Sequence, residues 1–176
     1  FAEQTADRIR KIDANGIITT VAGTGVGGFS GDGGAATSAQ IDDPRGVTGD
    51  NAGNLYISDR GNSLIRKVDT NGIISTFAGT AGTVGFSGDG GAATSAQLNF
   101  PYALTMNGGN LYFAEIYNNV IRKIDANGVI STVAGQEGVG DDFSGDGGAA
   151  TSAKLSLPGG VNFDSQGNMY IADYGN

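Results

Sequence analysis

Phe29-Ser-Gly-Asp-Gly-Gly-Ala-Ala-Thr-Ser-Ala-Gln-Ile41 is written three times in the chain. It returns at residues 86–98 with Leu98 in the last place, and at residues 143–155 with Lys154 for Gln and Leu155 last. Phe29, Phe86 and Phe143 are 57 residues apart. That period suits a four-stranded β unit followed by a long link and exceeds most helical repeats. Each unit of such an array buries its faces against its neighbours, so the repeat sets the fold before any single residue does.

Reading outward from residues 29–41, the unit that follows spells out four strands. Residues 46–48, 55–58, 64–68 and 73–78 are rich in Val, Ile, Leu, Tyr and Thr and are separated by Asn, Asp and Gly. Asn71-Gly72 marks the last hairpin and recurs as Asn15-Gly16 and Asn127-Gly128. Asn-Gly predicts a type I′ turn, with both central residues at positive φ. Leu64 and Ile65 are adjacent, as are Ile73 and Ile74, so these strands are expected to be covered on both faces. Blades of a propeller, stacked face to face, create that demand. The stretch Ala-Ala-Thr-Ser-Ala-Gln is expected to make one helical turn over the blade junction. Its last apolar residue (Ile41, Leu98, Leu155) and the Phe of each link are expected to be buried plugs.

The fold class expected is therefore all-β: a propeller with three four-stranded antiparallel blades, forming part of a ring or assembling into one of six or more blades. The repeats run over about 1–56, 57–112 and 113–170 of a single segment, 1–176, with 171–176 starting the next. Phe1-Ala2-Glu3 aligns with Phe113-Ala114-Glu115 and with Ile171-Ala172-Asp173. Three blades cannot close a ring. The expectation is a piece of a longer propeller, or copies that associate to complete one, or open-ended stacking.

Composition narrows function. Eighteen acidic against ten basic residues give a formal charge of −8, which disfavours nucleic acid as a partner. There is no Cys, so disulfides and thiolate chemistry are excluded. No apolar run reaches the length of a membrane helix, so membrane insertion is not expected.

Gly53-Asn-Leu-Tyr-Ile-Ser-Asp-Arg-Gly-Asn62 followed by Ile65-Arg-Lys-Val-Asp69 resembles the NHL repeat. The attached Gly-Phe-Ser-Gly-Asp-Gly-Gly segment is similar to the long form found in secreted bacterial NHL proteins and in the teneurin propeller. The resemblance implies a β-propeller and leaves function open among RNA binding, peptide-amidating lyase activity, sensing and adhesion. The lyases hold zinc through His, and this chain has no His. What the resemblance then implies is a non-enzymatic, extracellular (secreted or cell-surface) module for binding or self-assembly. Its partners would be protein, further copies or further blades included, or carbohydrate. The alternative is a propeller lyase or hydrolase with a carboxylate-bound metal in its central channel.

Candidate sites divide by whether they repeat. Asp32, Asp89 and Asp146 sit among glycines and could contribute to a calcium site, with Asp141 and Asp142 making the third link the most acidic. The preferred reading is structural, Asp bonding backbone amides in a turn, and no cofactor is expected. The pairs Arg10-Lys11, Arg66-Lys67 and Arg122-Lys123 point to opposite faces of the third strand. Their expected partners are the carboxylates of Asp59 and its equivalents Glu3, Glu115 and Asp173. Tyr56, Tyr112 and Tyr170 share one strand position and read as packing. Residues that do not repeat are better interaction candidates: Tyr102, Tyr117, Tyr174 and Met106 in or near turns, with Arg45 and Arg60. No catalytic residue is singled out.

Overall fold

A computed structural model describes residues 1–138 and 143–176. It is all-β: thirteen strands and four short 3-10 turns among the described residues. The first sheet holds β1 (Ala2–Glu3), β2 (Arg8–Ile12) and β3 (Ile18–Ala22). Two complete four-stranded blades follow. One is β4 (Pro44–Gly49), β5 (Leu55–Asp59), β6 (Leu64–Val68) and β7 (Ile74–Ala78); the other is β8 (Pro101–Asn107), β9 (Asn110–Glu115), β10 (Val120–Ile124) and β11 (Ile130–Gly135). A two-stranded sheet of β12 (Pro158–Phe163) and β13 (Met169–Asp173) comes last. Three repeats of strands are thus distributed as two full blades flanked by two partial ones, all antiparallel.

The core lies between the sheets. Ile57, Val68 and Ile74 face the first sheet, where they meet Ile9, Ala22 and Ile41. Their neighbours Tyr56, Ile65 and Ala78 face the other way and meet Leu98, Phe113, Ile124 and Ile130. Successive residues of one strand therefore serve two different neighbours, which is why these strands lack an apolar/polar alternation.

The first two link straps each run across the outer edge of the next blade. Gly33 N–H donates to Ile74 O at 2.8 Å, Ile74 N–H to Gly34 O at 3.0 Å and Ala36 N–H to Gly72 O at 2.8 Å. Gly90, Gly91 and Ala93 repeat the three bonds with Ile130 and Gly128. The strap turns at Gly31, φ +90°, where an added Cβ would lie 2.6 Å from that of Ala39. Beyond it Ala36–Ser38 makes one 3-10 turn, as do Ala93–Ser95 and Ala150–Ser152. Ile41 and Leu98 are fully buried and Leu155 nearly so. At about 25 cal/mol per Å² each contributes on the order of 2 kcal/mol.

Two expectations are corrected. At Asn71-Gly72 only Gly72 has positive φ. Gly72 N–H donates to Asp69 O, and Asp69 Oδ1 accepts from Asn71 and Ile73 N–H at 2.9 Å each. The Asp side chain holds a type I turn closed by a left-handed glycine, so the type I′ form is not needed. The link phenylalanines are not buried plugs either: Phe29 and Phe143 are exposed and Phe86 is half-buried. The Phe29 and Phe86 rings cover arginines instead.

Candidate functional site

A bulge in each blade displaces the third strand against the fourth at Ile65/Arg66 and at Ile121/Arg122. It turns the arginine toward the preceding link and frees the Thr76 amide from the strand ladder. Arg66, fully buried, ion-pairs with Asp32 of that link and with Asp59 of its own blade, the latter at 3.2 Å. It also donates to Ser30 O and Gln40 O. The Phe29 ring lies 4.8 Å from its guanidinium carbon. Asp32 Oδ2 accepts from the amide and hydroxyl of Thr76. Arg122 repeats this arrangement with Asp89, Glu115 (3.2 Å), Ser87 O, Gln97 O and the Phe86 ring at 4.8 Å.

Each arginine therefore clamps a strap to the next blade. Burial dominates the carboxylates inside, pushing Asp59 up to about 6 and Glu115 up to about 7 against the opposing pull of the arginines. Asp32 is held below its ordinary value: burial raises it, but the Thr76 hydrogen bonds and Arg66 together outweigh that. These clamps are the carboxylate partners expected for the arginine of each Arg-Lys pair. The lysine goes to the opposite face, Lys67 lying 5.8 Å from the Tyr56 ring centroid. Asp32 and Asp89 are thus engaged by arginine, and among the described residues no group of three acidic side chains could hold a metal ion. Asp142 and Asp141 lie outside the described residues.

The non-repeating candidates come together in a second place. Asp43, held at φ +47° just before Pro44, ion-pairs with Arg45, whose Nε lies 3.1 Å from Oδ1, and with Arg60. Arg60 lies over the Phe100 ring at 4.7 Å, and Tyr117 packs edge-on against the same ring at 5.1 Å. Arg45 lies over Tyr102 at 5.3 Å. Tyr102, Ile116, Gly159, Ala172, Asp173 and Tyr174 then line an open cleft of about 580 Å³. The structure thus links Arg45, Arg60, Tyr102, Tyr117 and Tyr174 into one ribbon across three sheets. Met106 is not part of it; it lies within β8 and packs on the core between the two full blades.

Sequence reading missed Asp43 and Phe100, which join the two arginines to the tyrosines. A signal was present. The position before each proline reads Asp43, Phe100 and Leu157, a variable site in an otherwise repeated stretch.

A family model described as the teneurin NHL domain matches residues 26–86. Over those residues the chain is similar to that NHL domain. Teneurin-1 of Gallus gallus is 37% identical over 112 residues, which is 60% of this chain and 4% of that protein. Among solved structures, a structural genomics protein of unknown function from Bacteroides thetaiotaomicron superposes with a TM-score of 0.71 at 24% identity, over 96% of this chain and 40% of that one. A streptogramin B lyase matches at 0.62 with 17% identity, over 98% and 43%. At such identities the likeness shows the propeller fold and no activity. Among the described residues no helix is long and apolar enough to cross a membrane.

Proposed function

We propose that these NHL repeats form a non-enzymatic, extracellular module that binds a protein partner through the Arg45–Tyr174 ribbon. The carrying observation is the division of labour between the two sets of residues. Repeated charges are spent on clamps between strap and blade, whereas Arg45, Arg60, Phe100, Tyr102, Tyr117 and Tyr174 collect on one face that the clamps do not use. Arginine and tyrosine, rigid and amphipathic, are the side chains that most often anchor protein interfaces. The extracellular assignment rests on the likeness to teneurins and to secreted NHL proteins, and no cofactor is required.

The test is a binding screen of the labelled chain against displayed extracellular protein domains and a glycan array. A protein ligand whose affinity drops at least about tenfold on Tyr102→Ala or Tyr174→Ala, about 1.4 kcal/mol, supports the reading. Binding confined to glycans moves the ribbon to carbohydrate recognition, and protein binding indifferent to both substitutions removes it from the interface.

A further inference from the structure

We infer that Asn107-Gly108, at the tip of the β8–β9 hairpin, is a self-modification site, where the Asn107 side chain loses its amide and an aspartate or isoaspartate is left. This goes beyond the binding ribbon and lies at the other end of β8 from Tyr102.

The chemistry needs only an asparagine amide, the backbone nitrogen of the next residue and water. Gly108 N gives its proton to hydroxide and attacks Asn107 Cγ. The N–Cγ bond forms, the Cγ–Nδ2 bond breaks and ammonia leaves, closing a succinimide ring. Water then opens one of the ring's two carbonyl–nitrogen bonds. Breaking the new bond leaves an aspartate; breaking the original peptide bond leaves an isoaspartate, with the main chain routed through Cβ and Cγ. Either product adds one negative charge. Glycine in second place favours the attack, because it has no side chain to hinder the approach of its nitrogen.

Four Asn-Gly pairs occur in the chain, and the structure sets one apart. Gly16, Gly72 and Gly128 donate their N–H to Asp13 O, Asp69 O and Asp125 O at 3.0, 2.9 and 2.9 Å. In the same three turns the aspartate carboxylate accepts from the asparagine amide, at 2.9 Å each time. The nucleophile is tied and the turn around it is pinned. At the fourth pair, Thr105 stands where the others have that aspartate. The turn is a different one: Gly108 has φ +56° and Gly109 φ +79°, the type I′ form. Asn107 and Asn110 pair across it, and Gly108 N–H has no hydrogen-bond partner among the described residues. Both glycines are exposed, so hydroxide and water reach them. Attack requires the main chain at Asn107 to rotate. Two glycines at the end of a ladder resist that less than a turn pinned by a carboxylate.

The product alters a defined place. Asn107 lines a cleft of about 510 Å³ between the two full blades, together with Asp50 and Asp125. A carboxylate there adds to two others. An isoaspartate also lengthens the main chain beside the Met106↔Leu111 pair, whose side chains belong to the core between those blades.

The test is peptide mapping by mass spectrometry on the folded chain stored at neutral to mildly alkaline pH, with isoaspartate identified by electron-transfer fragmentation. Asn107 should lose its amide at least about fivefold faster than the other three, the factor that one hydrogen bond of about 1 kcal/mol corresponds to. The loss should quicken with rising pH. In the chain unfolded in urea all four should react at similar rates. Asp69→Ala, which frees the Asn71 amide, should speed the loss at Asn71 and leave Asn107 unchanged. Tyr102→Ala should alter none of the four, which separates this inference from the binding ribbon. Loss that begins at any of the other three, an intact Asn107 over a time in which the unfolded chain reacts, or the same ranking with and without urea overturns the inference. Indifference of Asn71 to Asp69→Ala does so too, because protection by the aspartate is what sets Asn107 apart.

Discussion

The middle two arginines and the first one occupy the same position of the same repeat and live in different physical worlds. Arg66 and Arg122 are fully buried between two carboxylates and a ring, whereas the Arg10 side chain is 24% exposed and has Glu3 alone. The sequence around them is nearly identical; the neighbour is not. A repeat of this kind does not own its core, because half of each core is contributed by the link that precedes it. In the first unit Ile12, Ile17 and Ile18 face solvent, and the arginine makes a partly exposed ion pair with Glu3.

The sharpest way to break that comparison is to remove the guanidinium in both settings. Arg122→Met leaves Glu115 buried without its cation and should cost about 3 to 5 kcal/mol in urea unfolding. Arg10→Met, at a partly exposed ion pair, should cost under about 1 kcal/mol. Equal losses would show that the clamp is not what distinguishes the units.

Truncating the outer strand comes next. Ile130→Ala empties a fully buried position and should cost about 2 to 5 kcal/mol, whereas Ile18→Ala, at a partly exposed one, should stay below about 1 kcal/mol.

Protonation sharpens the comparison further. Burial raises Glu115 from its ordinary 4.5 to about 7. Between those values the unfolded chain releases the proton while the folded chain keeps it. The contribution of this group to stability is therefore fully present below about pH 4.5 and is lost as pH rises through 7. Unfolding free energies measured across that window should fall with pH more steeply in the unsubstituted protein than in Glu115→Gln. Parallel curves would place Glu115 outside the titrating set.

Smaller effects belong to positions that the neighbours do not reach. Gly72→Ala has open space for its Cβ but must keep φ at +78°, so about 1 kcal/mol is expected in the same unfolding assay. Tyr174→Ala, at 83% exposure, should change stability by less than about 0.5 kcal/mol, its effect being reserved for binding.

Much of the fold could be read in advance because it is repeated. Strand three, residues 64–68, coincides with β6. The Arg-Lys alternation correctly put the two side chains on opposite faces, since successive side chains of a strand point apart, and of the pair it is the arginine that meets the expected carboxylate. The 3-10 turn and the burial of Ile41 and Leu98 were legible from the link itself. The Asn-Gly turn was misread because Asn-Gly has two solutions in a hairpin, and an Asp two residues before the Asn selects the one in which only Gly is left-handed. The role of Phe29 was misread because hydrophobicity alone suggests burial, and nothing local reveals that an arginine 37 residues onward needs a ring over it. The ribbon was legible only as scattered residues. Asp43, Phe100 and Tyr117 lie far apart in sequence, and the link that makes them one surface is the arginine pair on Asp43.

What the sequence determined by itself is the periodic part: strand order, turn positions, the helical turn of the link and the second-strand carboxylate that meets each arginine, all of which follow from short-range pattern repeated at fixed spacing. What only the tertiary structure decided is how deeply each copy of that pattern is covered. Burial of a guanidinium and the exposure of Ile12 against Val68 depend on whether a neighbouring unit is stacked against the face in question. No residue carries that information in its own sequence neighbourhood, because desolvation is a property of the contact between two units.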